Sequence, residues 1–176
     1  MARLSVAELE HLDREGWVLA RGIIPDRYIH GLAHEIDGVI DAKAASLAAA
    51  GKLQDTHPDA GFLTRAALLY EQCPEIMTAV QGGTHAGQAM FELLTCPELL
   101  DAMEQVVGPE VVASSIYRLR PKLPFWSQGV VPVHQDGRPR PHPRLRRPLY
   151  ALSLALIGST PAAQCNRAPF NLACDA

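Results

Sequence analysis

Apolar and polar positions follow two rhythms along this chain, a helical one as far as Gly108 and an extended one after it. The clearest helical stretch opens at Pro25 or Asp26. It carries Ile29, Leu32, Ile36, Val39, Ile40 and Leu47 at helical spacing and stops at Gly51. That spacing puts the apolar side chains on one face of an α-helix. Ahead of it, Ser5-Val6-Ala7-Glu8 has the form of a capping box, in which serine and glutamate each satisfy an orphan amide at a helix start. Leu9 and Leu12 give that first helix its apolar side, and Gly16 ends it. Trp17-Val18-Leu19-Ala20 then reads as a short buried strand closed by Arg21-Gly22.

Residues 52–61 contain Asp55, Pro58, Asp59 and Gly61 and read as a loop. Two or three shorter helices are expected next. The best defined starts at Cys96-Pro97, with proline at the first helical position, and runs through Leu100, Met103 and Val107 to Gly108. Gly82-Gly83-Thr84-His85-Ala86-Gly87 reads as a turn between helices. It lacks the GxGxxG spacing, the Lys-Ser/Thr pair and the preceding strand of a phosphate loop.

Beyond Gly108-Pro109, the run Val111–Arg120 is rich in β-branched and aromatic residues and reads as extended. A proline-containing loop, Pro121–Gly129, leads to a second extended run, Val130–Val133. Gly137–Pro148 packs five arginines and four prolines into twelve residues, a composition that resists both helix and central strand. Leu149–Ile157 then reads as one more strand, and 166–176 as an irregular tail. Helices first and strands afterwards predict an α+β fold, with a helical layer beside a sheet in one domain over residues 1–165.

Composition adds limits to this picture. With 176 residues, 48% apolar and 20% charged, the chain matches an ordinary globular domain with a real core. A net charge of -3 gives no general attraction to nucleic acid or acidic membranes. Arg3, Glu8, Glu10, Asp13, Arg14 and Glu15 leave no room for a signal-peptide apolar region in the first twenty residues. The longest apolar stretch, Leu149–Ile157, is too short to span a bilayer. A soluble, cytoplasmic protein with no membrane partner is therefore expected. Cys73, Cys96, Cys165 and Cys174 show no CxxC spacing and read as reduced, small apolar residues. Cys165 and Cys174 also leave a redox or metal reading open.

The sharpest chemical feature is His134-Gln135-Asp136, directly after Val130-Val131-Pro132-Val133. Residues i and i+2 of a strand point to the same side. An imidazole and a carboxylate so placed converge on one point and supply two of the three ligands of a two-His-one-carboxylate iron(II) site. The alternative is a histidine at a strand end that bonds a turn aspartate. His57-Pro58-Asp59 has the same spacing but falls in the predicted loop, with proline at its centre, and is read as no site. His30 and His34 stand i, i+4 on the long helix, a spacing that can hold zinc. They share the polar side with Asp37 and Asp41 and read as a solvated face. Arg138, Arg140, Arg144, Arg146 and Arg147 could form an extended basic arm for a polyanion. Such an arm would lose affinity steeply as salt rises.

Over roughly residues 5–160 the chain resembles the phytanoyl-CoA dioxygenase family of iron(II)- and 2-oxoglutarate-dependent oxygenases. Glu15-Gly16-Trp17-Val18-Leu19-Ala20-Arg21-Gly22 is similar to that family's N-terminal strand, and a long helix follows in both. Tyr117-Arg118-Leu119-Arg120-Pro121-Lys122 resembles the strand before the metal motif, and Val131-Pro132-Val133-His134-Gln135-Asp136 resembles the motif itself. The resemblance implies a double-stranded β-helix, a jelly-roll or cupin-like fold, behind the N-terminal helices. It also implies His134 and Asp136 as iron ligands, Lys122 as a contact to the 2-oxoglutarate cosubstrate, and a small organic molecule as substrate. The family's distal histidine and cosubstrate arginine find no counterpart here. His142 comes only six positions after Asp136, and Arg167 is the single arginine after Leu149. The resemblance thus implies a truncated or frame-altered member with its later strands missing. Two readings stay open: a dioxygenase, or a non-catalytic remnant that acts through its Arg/Pro-rich segment.

Overall fold

Helix α1, Val6–Glu15, starts where Ser5 accepts a hydrogen bond from the Glu8 amide and Glu8 in turn takes the Ser5 amide, so the capping box is complete. It ends at Gly16, whose φ of 77° lies in the left-handed region, where a side chain would clash with the backbone. Strand β1, Val18–Arg21, follows at once, with Val18 and Ala20 buried and Arg21 exposed. Helix α2 runs over Asp26–Ala49, within two residues of the bounds predicted from its apolar stripe. The computed structural model describes residues 3–81, 85–113, 119–121, 123, 151–155 and 171–175.

After the loop at 52–61 come α3 (Phe62–Gln72), a 3-10 helix (Pro74–Ala79), α4 (Gln88–Leu94) and α5 (Pro97–Val107). Two of these helices begin with proline at the first position, where its missing N–H costs nothing. Of the predicted extended run Val111–Arg120, residues 111–113 and 119–120 are described. Val111–Ala113 and Leu119–Arg120 belong to no strand. β-branched composition favours strand only where a neighbouring strand completes the ladder.

Strands β2 (Ala151–Ala155) and β3 (Asn171–Asp175) join β1 in a parallel three-stranded sheet of order β1-β3-β2. The register sets Val18, Leu172 and Leu152 in one row and Ala20, Cys174 and Leu154 in the next-but-one. The apolar positions of all three strands therefore coincide. β2 falls inside the predicted strand Leu149–Ile157. β3 falls in the stretch read as an irregular tail, because Asn, Ala and Asp carry little strand preference. Pairing on both edges holds it extended. Parallel pairing also differs from the antiparallel ladders of a jelly roll. The fold class is mixed, mostly helical, with a small sheet.

Two compact units divide the chain. One comprises Met1–Ile29, Leu93–Ala113 and Val131–Ala176, and the other His30–Glu92 and Ser114–Val130. In the first, Leu4, Leu12, Ala20, Ile24, Leu99 and Ala102 are buried. The Leu4 amide donates to Gln105 Oε1 while Gln105 Nε2 donates to the Leu4 carbonyl, which ties the chain ahead of α1 to α5. Arg27 stacks over Tyr28 and pairs with Glu98 at 3.1 Å. In the second unit, Leu32, Ile36, Ile40, Leu69, Ile76 and Met77 are buried. No helix among the described residues is long and apolar enough to cross a membrane.

Candidate functional site

The most constructed polar arrangement among the described residues lies in the second unit and begins with Glu35, on the polar flank of α2 beside buried Ile36. Its Oε2 accepts the Ala89 amide at 2.8 Å, and its Oε1 lies 2.6 Å from His85 Nε2. A carboxylate can only accept, so the imidazole donates. Both side chains are largely shielded. The Ala89 amide, then His85 and the Met90 amide, hold the Glu35 carboxyl below the usual carboxylate range, against the opposite push of burial. Glu35 thereby closes the open start of α4, a role that a neighbouring serine or aspartate would otherwise fill.

Gly87 makes this approach possible. A Cβ built there would fall inside the Glu35 carboxylate. Of the glycine-rich stretch read as a turn between helices, the described residues His85–Gly87 are irregular and lead directly into α4. The last glycine of the stretch is a docking position for Glu35.

A second cluster surrounds Arg65 of α3, which is 5% exposed. Its guanidinium lies 2.5 Å from Asp41 and 3.4 Å from Asp37, and Nε donates to the Thr56 carbonyl. A buried guanidinium stays charged and needs such partners. Asp37 and Asp41 therefore do more than solvate a helix face, as the sequence suggested. His30 and His34 are exposed, in keeping with that reading.

His57-Pro58-Asp59 sits in the loop, with His57 at φ 48°. Both ring nitrogens of His57 are engaged: Nδ1 lies 3.3 Å from Asp55 Oδ2, and Nε2 accepts from Gln72 Nε2 at 2.9 Å. One neutral tautomer satisfies both contacts. Glu75 takes Lys43 at 3.3 Å and Lys52 at 2.5 Å, and the two ammonium groups keep its carboxyl below the usual range. Burial raises the Cys96 thiol in the other unit, which suits a small apolar side chain better than a nucleophile.

The residues singled out for iron chemistry, His134 and Asp136, lie outside the described residues, as do Lys122, His142, the arginine run Arg138–Arg147 and Arg167. Of the late cysteines, Cys174 belongs to β3 and Cys165 lies outside the described residues. Among the described residues, no three His, Cys, Asp or Glu side chains converge on a metal-sized point. Sequence reasoning missed both Glu35–His85 and the Arg65 cluster. Partners 50 and 28 positions apart leave no local pattern, although glycine at 87 ahead of a short helix marks a close approach.

Family models, curated proteins and solved structures yield no match to this chain.

Proposed function

We propose that this chain is an iron(II)- and 2-oxoglutarate-dependent dioxygenase that hydroxylates a small organic substrate. The observation that carries the reading is His134-Gln135-Asp136 directly after Val130–Val133, downstream of a strand-then-long-helix opening in the order the resemblance implies. β1 and α2 support that opening, and β2 supports the strand expected after the motif. The same reading implies a partial double-stranded β-helix, distinct from the parallel sheet β1-β3-β2.

The donor chemistry fits. Imidazole and carboxylate are the ligand types of non-haem iron(II) sites, and a three-donor face leaves positions open for cosubstrate and oxygen. His134 would give one nitrogen and Asp136 one oxygen, and the reading requires a third donor from elsewhere in the chain. Lys122, twelve positions before His134, would set its ammonium against a carboxylate of 2-oxoglutarate. When bound, iron(II) supplies the oxidising chemistry: one oxygen atom of O2 enters the substrate C–H bond, and the other enters succinate as CO2 leaves 2-oxoglutarate. An alternative reading rests on the five guanidinium groups of Arg138–Arg147 as a polyanion-binding arm.

Iron(II) affinity, measured by competition with a chromogenic chelator, tests the ligand assignment. His134→Ala and Asp136→Ala should each weaken binding more than about tenfold, since even outer-shell losses reach that size. His57→Ala should leave it unchanged. Equal affinity in all four proteins would remove the metal site.

A further inference from the structure

We draw no further inference here: the strongest candidate, the shielded Glu35–His85 cluster at the start of α4, is satisfied from within by the Ala89 amide and caps a seven-residue helix, with nothing among the described residues that points to a ligand.

Discussion

At the scale of single residues, the Glu35 carboxylate and the absent side chain of Gly87 are two halves of one device. Glu35→Ala removes the acceptor for the Ala89 amide, and Gly87→Ala pushes that acceptor away. Each change should cost about 1 kcal/mol, the typical value of a helix cap. Because both break the same contact, the double variant should cost little more than either alone; additive losses in urea unfolding would contradict the geometry. The carboxyl is held below its ordinary range in the folded chain, so its contribution is present above the unfolded value, about 4.3, and fades as pH falls through the folded one. The stability difference between the wild-type chain and Glu35→Gln should therefore shrink on acidification below about pH 4. A difference that grows there would overturn the assignment. In the sequence, the glycine at 87 ahead of a short helix marks a close approach but does not name its partner. Glu35 reads as one more polar residue on an amphipathic helix, and His85 as part of a turn.

At the scale of elements, legibility follows how local the deciding forces are. The capping box at Ser5, the apolar stripe of α2 and the proline start of α5 each act within a few residues, and the helices stand where those signals put them. The strands depend on distant partners. β1 and β2 have apolar runs that announce them, whereas β3 becomes a strand only between two others, and Val111–Ala113, despite its β-branched residues, does not. Arg65 is the helical counterpart of this blindness. No local pattern around Arg65 signals a partner, yet it holds α3 to Asp37 and Asp41 of α2. The two carboxylates are more exposed than the guanidinium, so losing Arg65 leaves them to water. Losing both leaves a buried cation with only the Thr56 carbonyl. Asp37→Ala combined with Asp41→Ala, which removes both acceptors, should thus cost about 3 kcal/mol, the range for stranding a buried charge. Arg65→Met, which restores an apolar filling, should cost less. Chemical denaturation of the two variants decides it, and the reverse order would show that the cluster is held by packing rather than charge.

At the scale of the whole molecule, the chain is mostly helical with a small sheet, whose strands come from both ends of the element order. The functional reading rests on a different layer of information: a short ordered series of residues from Glu15 to Asp136 whose chemistry suits iron(II) and a dicarboxylate cosubstrate. Helical periodicity cannot supply that, because ligand type and spacing decide it. Within the described residues, the polar clusters at Glu35, Arg65, His57 and Glu75 are each occupied in holding helices and loops together. They offer the second unit internal support rather than competing chemistry.

Succinate formation by the whole purified chain, supplied with iron(II), 2-oxoglutarate and ascorbate, bears most directly on the dioxygenase reading. Uncoupled oxidation of 2-oxoglutarate needs no knowledge of the true substrate. Measurable turnover is expected, lost in both His134→Ala and Asp136→Ala and retained in His57→Ala. Absence of succinate, together with iron(II) binding no tighter than in His134→Ala, would contradict that reading. Retention on a polyanion that falls steeply with salt would then favour the arginine arm.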